Sequence, residues 1–185
     1  MSVRLRFVAE FYKRIARRPL DVGSGRDHPC RVTVLRANDA VETAAFGQRL
    51  GAALFEGAVV LLRGGLGAGK TCFAQGVARG LGVAGTVPSP TYILVAEYPD
   101  ARVPLGHVDL YRIEQPDEVA ALGLEERVGR DGAWIVEWPE RAEELWPADH
   151  LDVSILGSGA TRALRVHATG PHHAPLEALF GAGHG

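Results

Sequence analysis

Apolar residues fall into short runs along the chain, separated by glycine, proline and charged residues. Val32 to Leu35 predicts a first strand. Ala58 to Leu62 is a continuous apolar run, which is typical of a strand buried on both faces. Between these runs, Asn38 or Asp39 can cap a helix that continues to about Phe55 with apolar residues at helical spacing. The first third of the pattern therefore predicts strand, helix, strand.

A second helix and a hairpin follow this buried run. Lys70 to Leu81 predicts a helix that Gly82 closes. Thr91 to Tyr98 is rich in β-branched and aromatic residues and predicts a strand. A Pro-Asp turn comes next, and Arg102 to Leu110 predicts the strand that returns, so the two strands should form a hairpin.

The remaining predicted elements are short. In chain order they are a helix at Pro116 to Leu122, a buried strand at Ala133 to Val136, strands at about 151–156 and 162–168, and a helix near Leu176 to Phe180. The order β-α-β-α followed by hairpins predicts an α/β fold, with a mixed central sheet and helices on both faces.

Composition fits this expectation and narrows the class of protein. The chain has 185 residues, of which 46% are hydrophobic and 23% charged, as in ordinary globular domains. No run of 18 apolar residues appears, so no membrane span is predicted. Two cysteines are too few for a disulfide framework or a cysteine-based metal knuckle. We therefore expect a single domain in a reducing cytoplasm.

The net charge of −2 hides an uneven distribution. Residues 1–36 carry nine basic and three acidic residues, whereas residues 37–185 carry eleven basic and nineteen acidic residues. A basic arm on an acidic body is compatible with contact to nucleic acid and equally with a solvated or disordered extension. The arm contains no aromatic stacking pattern or RNA-binding motif, which favours the second interpretation.

The loop after the buried strand has the spacing of a phosphate-binding loop. Residues 64–71, Gly-Gly-Leu-Gly-Ala-Gly-Lys-Thr, fit the pattern Gly, four residues, Gly-Lys-Ser/Thr, with a strand before it and a helix after it. Glycines let backbone N–H groups approach phosphate oxygens, and the helix N-terminus attracts the anion. Lys70 should reach the β- and γ-phosphates, and the Thr71 hydroxyl should coordinate Mg²⁺. The loop residues expected to bind ATP are Gly64, Gly67, Ala68, Gly69, Lys70, Thr71 and Cys72.

The lysine in this loop is unusual for the chain. Only Lys13 and Lys70 are lysines, whereas 18 residues are arginine. A lysine at position 70 therefore indicates a site where a compact ammonium group is needed and a planar guanidinium does not fit.

Two carboxylates follow predicted strands and are candidates to complete the site. Asp109 ends the strand that contains His107, and Glu137 ends the strand at 133–136. Ligands in open α/β sheets gather at the carboxyl ends of strands, so both acids are expected to hold Mg²⁺ or to position water. Capping of a turn is the alternative for each. His107 shares a strand face with Asp109 and is expected to be a hydrogen-bonded core residue.

Thr91, between Pro90 and Tyr92, is a candidate hydroxyl for a switch-like loop that contacts the γ-phosphate and Mg²⁺. An ordinary threonine at the start of a strand fits its position equally well. Trp138 and Trp146 are expected only to pack.

Four motifs, in order and in spacing, resemble the bacterial TsaE family, also called YjeE. They are the loop at 64–71, Ser-Pro-Thr-Tyr at 89–92, His-Val-Asp-Leu-Tyr-Arg at 107–112 and Val-Glu-Trp-Pro-Glu at 136–140. The resemblance implies a P-loop ATPase of threonylcarbamoyladenosine synthesis, the tRNA modification beside the anticodon. It also implies TsaD and TsaB as partners, with TsaD transferring the threonylcarbamoyl group while ATP hydrolysis keeps the complex turning over.

The same resemblance implies roles for individual residues. The implied catalytic residues are Lys70, Asp109 and Glu137, and the implied Mg²⁺ ligands are Thr71, Glu137 and Asp109. Thr91 falls in the family's switch-like loop. The start of the first helix, with Asp39, Ala40 and Thr43, should lie near the nucleotide, as should a late arginine, which is Arg162 or, with a shifted register, Arg165. A second threonine is common in the family where this chain has Cys72.

The resemblance covers about residues 32–170 and divides the chain into three regions. These are a basic N-terminal extension at 1–31, a P-loop NTPase-like ATPase domain at 32–170 and a C-terminal tail at 171–185. Contact with tRNA is expected only indirectly or through the basic extension.

Hydrolysis by the protein alone is expected to be slow, because no arginine finger can be assigned. A small-molecule or nucleoside kinase is one alternative, but such a kinase should carry an arginine-rich lid, and the segment 112–131 is short and acidic. A docking module that binds nucleotide without needing hydrolysis is the other alternative.

Overall fold

Seven strands form one mixed sheet in the computed structural model, which describes residues 33–157 and 159–181. The strands are β1 (Thr33–Ala37), β2 (Val59–Arg63), β3 (Val95–Tyr98), β4 (Leu105–Asp109), β5 (Ala133–Glu137), β6 (Leu151–Leu156) and β7 (Arg162–Ala168). Their order across the sheet is β1-β7-β6-β2-β5-β4-β3. The central strands β6, β2, β5 and β4 are parallel, whereas β7 and β3 flank them in the antiparallel direction and β1 pairs antiparallel with β7.

Four helices connect or follow these strands. They are α1 (Ala40–Ala53), α2 (Lys70–Gly80), α3 (Pro116–Ala120) and α4 (Ala174–Gly181), and three short 3₁₀ turns lie between α3 and β6. Within the described ranges, no helix is long and apolar enough to cross a membrane. The predicted basic extension at 1–31 lies outside the described residues.

Alternate residues of the strands separate into two cores, one on each face of the sheet. In β2, Val60 and Leu62 pack with apolar residues of α1, α2 and α4. Val59 and Leu61 pack on the other face with residues of α3 and the 3₁₀ turns. All four β2 residues are fully buried, so the apolar run is buried on both sides as its sequence indicates. The predicted α/β fold with helices on both faces is confirmed.

The strand predicted from Thr91 to Tyr98 is wrong in its first half. Residues 91–94 form a turn in which the N–H groups of Ile93 and Leu94 both donate to the carbonyl oxygen of Pro90, at 3.0 and 2.6 Å. Leu94 has a left-handed φ of 65°, which ends any extended conformation there. Extended structure therefore begins only at Val95, and the predicted hairpin forms between β3 and β4.

Asp39 caps α1, one of the two residues expected to do so. Its carboxylate accepts a hydrogen bond from the backbone N–H of Glu42 at 2.8 Å, and the Glu42 carboxylate accepts one from the N–H of Asn38 at 2.7 Å. This reciprocal arrangement satisfies the Glu42 N–H, which the first helical turn leaves unpaired, and the N–H of Asn38 directly before the cap. Thr43, one turn into the helix, is buried and donates its hydroxyl to the Asp39 carbonyl oxygen at 2.9 Å.

Helices α1 and α2 pack with their backbones in contact. Gly47 and Gly51 of α1 face Gly76 and Gly80 of α2. A methyl group added at Gly47 would overlap the carbonyl oxygen of Phe73, and the other three positions are equally closed by backbone atoms of the opposite helix. Only glycine permits this approach, which fixes the start of α2 against α1.

The last helix belongs to the first of the two cores. Leu176 and Phe180 of α4 are buried there, and the Arg49 guanidinium of α1 donates to the carbonyl oxygen of Leu179 at 2.8 Å. The predicted C-terminal tail, 171–185, therefore contains a helix that packs on the sheet, at about the place where the sequence pattern predicts one.

A buried histidine before α4 joins three parts of the fold. His173 Nδ1 hydrogen bonds to Asp149 at 2.6 Å, and its Nε2 accepts from the N–H of Val59 at 3.0 Å. Burial lowers the pKa of His173 below its ordinary 6.5, although Asp149 acts in the opposite direction. Burial alone would raise the pKa of Asp149, but hydrogen bonds from His172 and His173 lower it to about 2.

These shifts predict a loss of stability on acidification. The unfolded chain binds a proton on His173 below about pH 6.5 that the folded protein resists, so the free energy of unfolding should fall as the pH drops from 7 to 5. The lowered pKa of Asp149 adds to the free energy of unfolding above about pH 4, and this stabilisation is lost as the pH falls towards 2. Urea unfolding of the wild type and of His173→Gln measures this effect. The variant should be less stable at pH 7 and less sensitive between pH 7 and 5, and equal slopes for both proteins would contradict the assignment.

Candidate functional site

The glycine-rich loop joins the carboxyl end of β2 to the start of α2 at the centre of the sheet. Gly64, directly after β2, has a φ of 145°, and a side chain there would overlap the carbonyl oxygen of Ile155. Gly69 is the N-cap of α2 with a φ of 107°. The first N–H groups of α2 have no acceptor within the helix, so they are available to an anion in the loop.

Lys70 is folded back against its own loop. Its Nζ donates to the carbonyl oxygens of Gly64 and Gly65 at 2.7 and 3.0 Å, and lies 3.7 Å from the centroid of the Trp138 ring. The residue is only 5% exposed. Burial lowers the pKa of Lys70 below its usual value, although the nearby carboxylates of Glu137, Glu140 and Asp109 act in the opposite direction. The loop therefore already encloses one compact cation.

Trp138 is a residue whose place at the site the sequence does not indicate. It follows β5 directly and has a left-handed φ of 61°. This turn carries its ring over Lys70 and against Tyr111, with ring centroids 5.1 Å apart. The sequence predicts only a packing role for Trp138, because a tryptophan directly after a strand-end acid does not indicate a cation–π contact.

The two strand-end acids lie side by side but have different partners. Asp109 of β4 and Glu137 of β5 are paired in register, and both are 2% exposed. The Thr71 hydroxyl donates to Glu137 Oε2 at 3.1 Å, and His107 Nε2 hydrogen bonds to Glu137 Oε1 at 2.9 Å. Through Thr71, the Glu137 side chain thus contacts the start of α2, where the loop ends.

Asp109 instead holds the segment 89–92. Its Oδ2 accepts from the hydroxyls of Ser89 and Thr91 at 2.9 and 2.5 Å, and its Oδ1 accepts from the N–H of Tyr111 at 3.0 Å. Thr91 is therefore held at the site by Asp109, whose Oδ2 it shares with the hydroxyl of Ser89. The sequence predicts a role for Thr91 but includes Ser89 only as part of the motif at 89–92, without a role of its own.

These groups line one cleft of about 320 Å³. Its lining consists of residues 66–72 of the loop and helix start together with Ser89, Thr91, Asp109, Tyr111, Glu137 and Trp138. Of the residues that the structure describes, Lys70 is the only cationic one in that lining, and no described arginine contributes to it. The cleft combines anion-binding backbone with two carboxylates, which suits an anion accompanied by a cation.

The start of α1, which is expected to lie near the nucleotide, packs against the end of the loop at Gly69. The Thr43 hydroxyl is committed to Asp39, and its methyl group lies beside Gly69. The Cys72 thiol, half-buried, donates to the carbonyl oxygen of Ala40 at 3.2 Å. Burial raises the pKa of Cys72, so the thiol has little thiolate character. Cys72 contacts α1 and also lines the cleft.

Of the two candidate arginines, Arg162 touches the loop. Its Nε donates to the carbonyl oxygen of Ala68 at 2.6 Å, and one terminal nitrogen donates to Gly67 at 3.2 Å. The other terminal nitrogen donates to the carbonyl oxygens of Gly159 and Thr161. Arg162 thus binds the carbonyl side of the loop. Arg165 lies three residues further along β7, paired with Ser154.

A second, wider cleft of about 630 Å³ adjoins the first and shares Thr91 and Tyr111 with it. Its other lining residues are Tyr92, Arg112, Glu114 and Arg141. The Arg112 guanidinium lies 4.9 Å from the centroid of the exposed Tyr92 ring. The neighbourhood of the site is thus aromatic and basic, in contrast to the acidic first cleft.

The described part of the chain contains no group of three or more His, Cys, Asp or Glu side chains able to hold a metal ion by themselves. Thr71 Oγ1 and Glu137 Oε2 could supply two oxygen ligands. A metal there would need further oxygens from phosphate or water, which is the usual arrangement for Mg²⁺ in nucleotide sites.

Comparison with known proteins gives concordant results. The family model described as threonylcarbamoyl adenosine biosynthesis protein TsaE matches residues 37–164. A Bacillus subtilis protein named tRNA threonylcarbamoyladenosine biosynthesis protein TsaE is 42% identical over 118 residues, which is 64% of this chain and 73% of the relative. A Treponema pallidum protein of the same name is 39% identical over 119 residues, covering 64% and 87%. The crystal structure of Bacillus subtilis YdiB matches with a TM-score of 0.71 and 33% identity, over 83% of this chain and 97% of that one.

Proposed function

Because this chain belongs to the TsaE family, we propose that it binds ATP with Mg²⁺ at the loop 64–71 and hydrolyses it in support of threonylcarbamoyladenosine biosynthesis, with TsaD and TsaB as partners. The family model and the named relatives support the pathway. The loop, the two strand-end acids and the cleft support the chemistry.

The observation that carries the proposal is the contact between Thr71 Oγ1 and Glu137 Oε2, 3.1 Å apart at the start of α2. Oxygen ligands about 2.1 Å from an octahedral Mg²⁺ lie about 3 Å from each other when they occupy neighbouring positions. The two oxygens are therefore already at the separation that joint coordination requires. When bound, magnesium supplies positive charge against the phosphate oxygens during phosphoryl transfer.

Lys70 supplies the positive side chain of the cleft lining, the only one among the described residues. We propose that its ammonium exchanges the carbonyl oxygens of Gly64 and Gly65 for the β- and γ-phosphates, a short movement because Nζ already lies within the loop. Asp109 holds Ser89 and Thr91 at the opposite wall, and we assign it to orienting water or the metal through this hydroxyl network.

Among residues 33–157 and 159–181, no arginine lines the cleft, which fits slow hydrolysis by the protein alone. An arginine finger accelerates phosphoryl transfer by about 10³- to 10⁵-fold in enzymes that use one. We therefore expect TsaD and TsaB to complete or gate the site.

The test is ATP hydrolysis by the purified protein with and without TsaD and TsaB. The wild type should turn over slowly alone and at least about tenfold faster with both partners. Asp109→Asn should lose the stimulated rate, whereas Asp100→Asn, a change at an exposed turn, should retain it. An unchanged rate on adding the partners would remove the gating role.

The two alternatives give different results in related assays. A kinase would transfer the γ-phosphoryl group to a nucleoside, for which the second cleft is the available acceptor site; radiolabelled transfer to a nucleoside panel would detect it. A docking module would bind the partners with Asp109→Asn as well as with wild type and would support modification equally. Mass spectrometry of tRNA nucleosides from depleted cells tests the pathway itself, since unchanged threonylcarbamoyladenosine would exclude it.

A further inference from the structure

The Glu137 carboxylate is held from two sides, and only one of them belongs to the phosphate-binding loop. We propose that His107 is a positioning residue that fixes Glu137 so that Oε2 faces Thr71 and the magnesium site. This inference rests on the proposed function, since it assigns the residue that prepares the metal ligand.

The geometry of the pair is that of a buried, directed hydrogen bond. His107 lies on β4 two residues before Asp109, and its Cα is paired with Ile135, two residues before Glu137 on β5. The side chains of His107 and Glu137 are 1% and 2% exposed, and Nε2 lies 2.9 Å from Oε1. A carboxylate only accepts hydrogen bonds, so Nε2 carries the proton and His107 is the donor.

Each carboxylate oxygen of Glu137 therefore has one donor. His107 occupies Oε1, and Thr71 occupies Oε2. Without His107, Oε1 would be a buried oxygen with no partner, and the carboxylate would be free to turn towards other donors. Fixing a metal-binding carboxylate through a hydrogen bond to its other oxygen is a general way of orienting a ligand.

The second nitrogen of His107 argues against a packing role. Nδ1 is buried and has no hydrogen-bond partner among the described residues. An apolar side chain would fill the same space without a buried polar atom left unsatisfied. The contribution that distinguishes histidine from leucine at this position is therefore the Nε2 donor to Glu137.

The test compares two substitutions at this position. His107→Leu removes the donor, whereas His107→Gln retains an N–H donor at about the reach of Nε2. Calorimetric titration with ADP, in Mg²⁺ and in EDTA, separates metal-assisted from metal-free binding. We expect Mg²⁺ to strengthen ADP binding to the wild type. In His107→Leu this gain should fall by about 10- to 100-fold, the usual effect of removing a residue that orients a metal ligand.

Binding in EDTA serves as the control for folding. It should be the same for the wild type, His107→Leu and His107→Gln, because none of the loop's own groups changes. His107→Gln should recover most of the Mg²⁺ effect. His173→Gln, a substitution of another buried histidine whose ring contacts the start of β2, should lower the thermal midpoint but leave the Mg²⁺ effect intact.

Three outcomes would overturn the assignment. They are a full Mg²⁺ effect in His107→Leu, an equal loss in His107→Leu and His107→Gln, and a loss of binding in EDTA as large as the loss in Mg²⁺. A wild type that binds ADP equally with and without Mg²⁺ would instead overturn the magnesium part of the proposed function, so the two failures are distinguishable.

Discussion

Lys70→Ala should lower kcat/KM for ATP hydrolysis by at least about 10²- to 10³-fold, comparable to the removal of one preorganised group that stabilises transition-state charge. The reason is that Lys70 is the only cation that the described part of the chain places in the lining of the cleft. Its Nζ lies between two loop carbonyl oxygens and the Trp138 ring, in a space that water scarcely reaches. Arg162, another described cation at the loop, is bound to the carbonyl oxygens of Gly67 and Ala68 and does not line the cleft.

Lys70→Arg separates charge from shape. A guanidinium retains the positive charge, but its planar head is wider than an ammonium and would clash with the carbonyl oxygens of Gly64 and Gly65. We expect this variant to lose almost as much activity as Lys70→Ala. Lys13→Ala, which changes the only other lysine of the chain, should hydrolyse ATP like the wild type. Activity of Lys70→Ala within threefold of the wild type would contradict the role of Lys70.

Gly47→Ala should destabilise the protein by about 2–3 kcal/mol. Helix propensity alone gives the opposite sign, since alanine stabilises a helix interior by about 1 kcal/mol relative to glycine. In this fold, however, the added methyl group would overlap the carbonyl oxygen of Phe73, a backbone atom that cannot rotate away. Relief requires α1 and α2 to move apart, which also displaces the start of α2 and its N–H groups.

Urea unfolding at pH 7 measures this effect, with Ala45→Gly as the matched control. Ala45 is exposed on the same helix, so its substitution should cost only the propensity difference of about 1 kcal/mol. Gly47→Ala should also bind ADP more weakly than the control does, because the helix start shifts. A Gly47→Ala protein at least as stable as the wild type would show that the helices do not pack by backbone contact.

The features that the sequence predicts well are those set by local spacing. The shape of the loop 64–71 is set by the conformation of its glycines and by the helix α2 that follows it. A short sequence motif specifies both features. The two acids follow from the alternation of apolar runs with strand-end carboxylates, and parallel strands bring them to one edge. The strands β6 and β7 lie where the sequence predicts them, because both largely alternate between apolar and polar positions.

The features that escaped prediction depend on contacts between distant segments. The division between the acids, with Glu137 on Thr71 and Asp109 on Ser89 and Thr91, was left open by the sequence, since both acids occupy equivalent strand ends. Trp138 reaches Lys70 only because its backbone adopts a left-handed conformation after β5. A left-handed φ at a non-glycine residue has no reliable sequence signal.

Contacts between distant segments also determine the turn before β3 and the role of the glycines in α1, and the sequence does not reveal these contacts. Strand propensity favoured extended structure from Thr91, but hydrogen bonds to Asp109 and to the Pro90 carbonyl oxygen hold this segment as a turn. Helix propensity alone makes Gly47 and Gly51 unfavourable in the interior of a helix. Their function becomes visible only when α2 is placed against them.

A crystal structure of the protein with Mg²⁺ and a non-hydrolysable ATP analogue is the most direct test of the central claim. We expect the β- and γ-phosphates within hydrogen-bond distance of Lys70 Nζ and of backbone N–H groups in residues 67–71, with Mg²⁺ coordinated by Thr71 and Glu137 or by a water between them. A nucleotide bound elsewhere, with Lys70 still on the carbonyl oxygens of Gly64 and Gly65, would contradict a phosphate-binding role for this loop.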